Sequence, residues 1–315
     1  MRYSSSPGQT QNKPPHAHSS GANLPRPARP VFQANRLPIL NKPPIKISEG
    51  ASFARFRVEE KKLKIAILGG LEEVGRNCAL FEYGDDIIII DMGLQFPEED
   101  MPGIDYIIPN MGYLKGKEKN IRGVIITHGH YDHIGGIPHL IPGLGYPPMY
   151  ALPLTNAIIK KRQEDYKGLQ PLNIHNVTLN DKLVLGGFTL EFFHVNHNIP
   201  DSMGVVIHTA EGTIVHTGDW KFDFQPVGEA PADLQRIADI GSKKVLALFS
   251  DSTNAMQPGH QISEGEIGAN LEMLIKKTNG RIIIGVFSSL LSRIKQLIET
   301  SEKLGKVVAL GGFSM

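Results

Sequence analysis

The feature that most constrains this chain is a cluster of four metal-ligand side chains within six residues. The run His128–His133 reads His-Gly-His-Tyr-Asp-His and directly follows an apolar segment that is typical of a buried strand. A turn at the strand end can direct His128 and His130 the same way, and a helix that starts next can place Asp132 and His133 together. A surface cluster or a helix N-cap is the alternative, but a cap needs one polar residue rather than four.

Imidazole and carboxylate ligands of this kind suit Zn²⁺. Two ligand pairs predict two metal ions, about 3.5–4 Å apart as in dinuclear hydrolases. The chain has one cysteine, Cys78, so neither a disulfide scaffold nor a cysteine zinc cage is available to it. Cys78 itself lies in an apolar strand and is expected to pack in the core.

A further histidine and a further aspartate follow predicted strands. His197 closes the strand predicted at 188–195, whereas His194 is expected to point to the opposite face of that strand. Asp219 follows the strand predicted at 212–217, where one carboxylate can bridge two cations because each oxygen can serve one of them. A turn aspartate is the alternative for Asp219. The predicted metal ligands are His128, His130, Asp132, His133, His197 and Asp219.

Two more aspartates stand at strand ends. Asp91 ends the strand predicted at 87–91, and a buried carboxylate there can accept a hydrogen bond from a ligand histidine. Simple strand termination is its alternative. Asp251 follows the strand predicted at 245–250, a position where parallel sheets place functional residues. Capping of an Asx-turn is the alternative for Asp251.

Periodicity predicts a strand-rich α/β body that starts at Leu63. Its strands are predicted at 64–68, 77–83, 87–91, 121–127, 188–194, 204–209 and 212–217, and its helices at 154–166 and 231–240. The glycine-rich segment 69–75 lacks the Lys-Ser/Thr of a phosphate-binding loop, so we interpret it as a tight turn near the site. His216 precedes residues that turn the chain, and we interpret it as structural.

A second alternation of strands and helices begins near Val245, which predicts parallel pairing as in Rossmann-like folds. Its strands are predicted at 245–250, 282–286 and 307–310. A capping box at Ser263 opens a helix that reaches Lys277, and apolar residues between 290 and 298 mark one face of another helix.

The charges separate a basic N-terminal segment from an acidic body. The net charge is +1, yet residues 1–48 hold seven Lys or Arg and no acidic residue. Nine prolines by residue 44 predict that residues 1–60 form a disordered, basic, Pro-rich tail, because few apolar side chains offset the ordering entropy. A solvated linker, an accessory RNA contact and a targeting peptide remain open for this tail.

The apolar runs are all too short for a membrane span of roughly 20 residues. The N-terminus also lacks the apolar region of a secretory signal. We therefore expect a cytoplasmic protein without membrane contact.

Several stretches of the chain resemble ribonuclease J, a β-CASP member of the metallo-β-lactamase superfamily. Besides 128–133, which has the superfamily's xHxHxDH layout, these stretches are 69–77, 91–99, 103–105, 197–202, 216–223 and 250–255. The resemblance runs from about Leu63 to Met315. It implies a metallo-β-lactamase αββα sandwich, incomplete here, at 61–240 and the beginning of a Rossmann-like β-CASP domain at 241–315.

The resemblance also implies a two-zinc ribonuclease with 5′-to-3′ exonuclease and endonuclease activity in RNA maturation and decay. Its partner would be RNA, and the full-length family member would form a homo-oligomer. Carried over by position, one zinc ion would be held by His128, His130 and His197, and the other by Asp132 and His133, with Asp219 bridging and Asp91 in support. Asp132, Asp219 and Asp251 would be catalytic, with Asp251 as the proton donor.

The chain departs from the family pattern at several positions. Tyr131 stands where the family more often has Glu, Ser292 where a histidine is expected, and Gly312-Phe313 where Gly-Arg is expected. The family also continues beyond this length, and one zinc ligand and the 5′-phosphate pocket are expected there. The alternatives are another hydrolase of the fold, such as a thioesterase or a β-lactamase, and an inactive or partner-completed fragment that binds zinc or RNA.

Overall fold

The computed structural model of the chain describes residues 61–312, so the tail predicted at residues 1–60 lies outside the described residues. The strands are β1 (Leu63–Gly69), β2 (Cys78–Tyr83), β3 (Asp86–Ile90), β4 (Ile121–Ile125), β5 (Met149–Ala151), β6 (Ile174–Asn176), β7 (Lys182–Leu185), β8 (Phe188–His194), β9 (Met203–His208), β10 (Thr213–His216) and β11 (Val245–Phe249). The α-helices are α1 (Tyr131–Ile134), α2 (Ile137–Leu140), α3 (Pro153–Gln163), α4 (Leu234–Gly241), α5 (Glu264–Lys277) and α6 (Leu291–Lys303).

Two sheets contain all of these strands. The first has the order β1-β2-β3-β4-β5-β6, antiparallel from β1 to β3 and parallel from β3 to β6. The second has the order β11-β10-β9-β8-β7, antiparallel except that β11 runs parallel to β10. Parallel neighbours end at the same sheet edge, so the segments after β3 and β4 meet, as do those after β10 and β11.

Side chains that alternate between the two faces of each strand form three apolar clusters between the layers of the fold. In β2, Phe81 and Tyr83 face the second sheet, whereas Cys78 and Leu80 face the opposite side of the first sheet. Helices α1, α2 and α3 cover that opposite side, and α4 covers the outer face of the second sheet. The layers are therefore helix, sheet, sheet and helix, which confirms the predicted αββα sandwich. Cys78 is buried in the core, as expected.

Helices α5 and α6 follow the sandwich and pack on each other. Ser263 caps α5, since its hydroxyl accepts a hydrogen bond from the Gly265 amide at 3.3 Å. The Asp223 carboxylate accepts a second one from the Glu264 amide at 3.0 Å. The predicted division of the chain at residue 240 stays a prediction. Strand β11, which follows that position, pairs with β10 of the second sheet.

Two of the predicted strands are wrong. Residues 282–286 and 307–310 are apolar and rich in β-branched side chains, yet neither segment pairs into a ladder within residues 61–312. Ile283 is 90% exposed and Val307 is 98% exposed. An apolar extended segment becomes a strand only when a neighbour accepts and donates its backbone hydrogen bonds. The structure also contains the short strands β5, β6 and β7, which the sequence pattern did not predict.

No helix in the described part of the chain combines the length and the apolar character that crossing a bilayer requires.

Candidate metal centre

The candidate metal ligands come together because four strand ends meet above the sandwich. The segment 127–133 leaves β4 and enters α1, and Asp91 follows β3 beside it. His197 follows β8 and Asp219 follows β10 in the facing sheet. Gly93 allows the close approach of these loops, since a Cβ there would lie 1.7 Å from the Asp132 carbonyl oxygen.

Three imidazoles form the first ligand group. His130 Nδ1 lies 3.1 Å from His128 Nε2 and 3.0 Å from His197 Nε2. The ligand atoms of all three lie within 4.8 Å of one another. At such distances one shared cation can satisfy nitrogen lone pairs that would otherwise face each other. The structure thus brings together the three histidines that the resemblance assigns to one ion.

A second group surrounds His133. Its Nε2 lies 3.3 Å from Asp219 Oδ1 and 3.5 Å from Asp132 Oδ2. The other oxygen of Asp219, Oδ2, faces the first group at 3.7 Å from His197 Nε2 and 4.0 Å from His128 Nε2. Each carboxylate oxygen of Asp219 therefore faces one ligand group, which is the arrangement that a bridging ligand requires.

Asp91 supports this centre from below. Its carboxylate accepts hydrogen bonds from the Thr127 amide at 2.8 Å, from the Thr127 hydroxyl at 2.9 Å and from His133 Nδ1 at 2.8 Å. Its backbone is left-handed, with φ of 62°, and its side chain is almost fully buried. The contact holds one proton of His133 on Nδ1, so that Nε2 is the nitrogen that faces the second ligand group and would ligate an ion.

Two neighbouring residues that the sequence reasoning missed contact the candidate ligands. Thr127 Oγ1 lies 3.0 Å from His128 Nδ1, and it thereby orients that ring. Asn77 Nδ2 lies 3.1 Å from His133 Nε2 and 3.3 Å from Asp132 Oδ2. Asn77 ends one of the stretches that carry the resemblance, and this was the only sequence signal for it.

The surroundings favour neutral imidazoles in the first group and ionised carboxylates in the second. Burial lowers the pKa of His197 to about 4, and it lowers the pKa of His128 and His130 as well. Burial raises the pKa of Asp219, but the neighbouring His133 outweighs this and holds it below the ordinary value. Burial also lowers the pKa of His133, yet Asp219 and the other carboxylates raise it well above normal.

Asp251 lies beside this cluster but not among the candidate ligands. It lines a cavity of about 460 Å³ together with Asp132, His133 and Asp219. Its Oδ1 accepts hydrogen bonds from the amide and the hydroxyl of Thr253 at 2.8 and 2.7 Å. This is the Asx-turn that the sequence left open, and the same carboxylate faces the cavity.

The remaining sequence expectations concern residues around the centre. His194 Nε2 lies 2.9 Å from the Ala230 carbonyl oxygen, away from both ligand groups. His216 Nδ1 accepts a hydrogen bond from the Gly218 amide at 3.1 Å and so supports the turn before Asp219. The segment 69–75 forms a turn that lines the same cavity as Asp251.

The sandwich and the histidine–aspartate cluster define a class of α/β proteins with a site capable of binding metal ions. The sequence profile of the metallo-beta-lactamase superfamily matches residues 71–260. The chain belongs to the metallo-β-lactamase superfamily, as its sequence predicts.

Relatives with similar sequences indicate which members of the superfamily this chain resembles. Ribonuclease J 1 of Streptococcus pyogenes is 42% identical over 258 residues, which are 82% of this chain and 46% of the relative. Ribonuclease J of Thermus thermophilus is 42% identical over 260 residues, which are 80% of this chain and 45% of the relative. The predicted resemblance to ribonuclease J is confirmed, and the chain spans less than half the length of these relatives.

A solved structure shares the fold. It is a protein of unknown function from Enterococcus faecalis V583, with a TM-score of 0.58 and 18% sequence identity. The similarity covers 76% of this chain and 63% of that chain.

Proposed function

We propose that this protein is a zinc-dependent ribonuclease that hydrolyses phosphodiester bonds of RNA, as a 5′-to-3′ exonuclease and an endonuclease in RNA maturation and decay. The observation that carries the proposal is the pair of ligand groups joined by the two oxygens of Asp219. The relatives named ribonuclease J support RNA as the substrate. Cytoplasmic location, homo-oligomer formation by the full-length family member and the domain division at residue 240 belong to the same proposal.

The donor set fits zinc. Imidazole nitrogen and carboxylate oxygen are its ordinary ligands when thiolates are lacking. His128, His130 and His197 would hold one ion, and Asp132 and His133 the other, with Asp219 between them. When bound, such ions lower the pKa of water toward about 7 and neutralise charge on the phosphoryl oxygens.

Residues around the ligand groups would orient the ligand imidazoles and supply a proton to the leaving group. Asp91 keeps the proton of His133 on Nδ1, and Thr127 orients His128. Asp251 is the proposed donor to the departing 3′-oxygen of the cleaved strand. Its Oδ1 accepts two hydrogen bonds from Thr253, whereas Oδ2 accepts only a long one from the Trp220 amide at 3.4 Å, so Oδ2 is the atom to carry the proton.

The test compares RNA cleavage by the zinc-loaded wild type with cleavage by Asp132→Ala and Asp219→Ala. Both substitutions are expected to abolish cleavage and to leave the secondary structure intact. Asp181→Ala is the matched control, since Asp181 only caps a turn through the Thr178 amide at 2.7 Å. Retained cleavage by either site variant would contradict the proposal, and so would a wild type that hydrolyses thioesters but not RNA.

A further inference from the structure

An open groove on the far side of His130 and Asp132 has no part in the mechanism above. It has a volume of about 1030 Å³ and reaches from the candidate ligands to the N-terminal end of α6. Its apolar wall includes Phe96, which is 67% exposed, and Phe287, which is 79% exposed. A polymer that is cut at the metal centre has to leave the centre along such a groove.

The positive charge of the groove comes from a single side chain. Arg162 is the only Lys or Arg among the residues that line this groove or the cavity beside Asp251, in the described part of the chain. That cavity carries the carboxylates of Glu72 and Glu73 at its rim, and Glu98 lines the groove. A polyanionic strand therefore meets one guanidinium there, besides any bound cations.

An aromatic ring positions the Arg162 side chain, and no acidic side chain neutralises its charge within residues 61–312. Its guanidinium carbon lies 5.2 Å from the centre of the Tyr131 ring, and it forms no ion pair within residues 61–312. The Tyr131 ring in turn stacks on Phe96, with ring centres 5.7 Å apart and planes 12° apart. An aromatic face orients a guanidinium and leaves its N–H groups free for a ligand. The neighbouring Lys161, by contrast, pairs with Glu164 at 2.6 Å.

We propose that Arg162, held against the Tyr131 ring, is a backbone-phosphate contact for the single-stranded RNA substrate in the groove beside the metal centre. This assignment rests on the proposed function, because it takes RNA as the occupant. Its chemistry is that of a planar donor set facing phosphate oxygens. Arg162 also lies in the last turn of α3, where a cation stabilises a helix end, and the test separates this structural role from phosphate binding.

The test measures binding of a fluorescein-labelled oligouridylate to the full chain by fluorescence anisotropy. Chelated, metal-free protein is used so that no turnover occurs. Arg162→Gln is expected to lower the affinity about tenfold. The slope of log K against log salt is expected to become shallower by about 0.7. Lys160→Gln is the matched control, because it removes an equal charge from the same helix outside the groove.

A second pair of variants tests the aromatic support. Tyr131→Leu removes the ring and is expected to lower the affinity, whereas Tyr131→Phe restores most of it. Circular dichroism and zinc affinity identify any variant that has lost the fold instead.

The outcomes separate this inference from the proposed function. Equal affinity and equal salt slope for Arg162→Gln and the wild type would overturn the inference, even if the wild type cleaves RNA. No measurable binding by the wild type would overturn it too. A loss on Arg162→Gln, together with a zinc-loaded wild type that leaves RNA intact, would support the phosphate contact and contradict the nuclease.

Discussion

Replacing Asp91 by Asn tests how the second ligand group is organised. The carboxylate accepts three hydrogen bonds, and the amide can accept only at its remaining oxygen. That oxygen can keep the bond from the Thr127 amide. The new NH₂ group then faces His133 Nδ1, which has to give up its proton to accept a hydrogen bond. The proton moves to His133 Nε2, the atom that would ligate the ion.

The expected loss of zinc affinity follows from this change of tautomer. Supporting contacts of this kind contribute a factor of about 10–100 to metal affinity, which is about 1.4–2.7 kcal/mol. Asp91→Asn should therefore weaken zinc binding by that factor. The metal-free protein should also lose about 2 kcal/mol of folding stability, because a buried charged acceptor no longer serves two donors.

Competition with a chromophoric chelator measures the affinity, and urea unfolding of the metal-free chain measures the stability. Asp86→Asn is the matched control at the opposite end of β3, where Asp86 accepts hydrogen bonds from Arg122 and from the Gly187 amide. It should lower the stability and leave zinc affinity unchanged. Unchanged zinc affinity of a folded Asp91→Asn variant would contradict this role of Asp91, as would an equal loss of zinc affinity in Asp86→Asn.

Two more predictions concern packing and pH. Gly93→Ala should lower the free energy of unfolding in urea by about 3 kcal/mol and weaken zinc binding, because the new Cβ would displace the Asp132 backbone. Gly143→Ala is the control and should have little effect, since Gly143 has open space around it. The 4%-exposed Glu82 has a pKa lowered from 4.5 to about 2: burial raises it, but Lys117 and Lys64 outweigh burial. Stability from this depressed pKa is complete above pH 4.5 and is lost as the pH falls toward 2, by about 2–3 kcal/mol. Acid unfolding curves of Glu82→Gln should lack this part of the loss, and parallel curves for the two proteins would contradict the assignment.

The sequence predicts the secondary structure correctly where the signal is contiguous. Long apolar runs between turns predicted β1 to β4 and β8 to β11, and in the structure each of these runs has a hydrogen-bonded neighbour. The three-residue strands β5 and β6 are too short to show a period. The segments 282–286 and 307–310 have β-forming composition, but pairing decides whether such a segment is a strand.

The same distinction applies to the site. The cluster at 128–133 is recognisable in the sequence because its potential ligands are neighbours there. Asn77 is 55 residues from Asp132, and only the fold brings the two into contact. The sequence gives no signal for Thr127, because a buried threonine at a strand end is common in protein cores. Only its contacts in the structure distinguish it from a packing residue. For Asp251, the sequence left an Asx-turn and a catalytic role as alternatives, and the turn and the cavity position occur together.

The dependence of RNA cleavage on zinc is the most direct test of the proposed ribonuclease activity. The metal-free chain is titrated with zinc, and cleavage of a labelled single-stranded RNA is followed at each ratio of metal to protein. We expect no cleavage by the metal-free chain and the appearance of cleavage as zinc binds. Cleavage that persists in the metal-free chain would contradict a zinc-dependent ribonuclease, and so would a fully zinc-loaded chain that leaves the RNA intact.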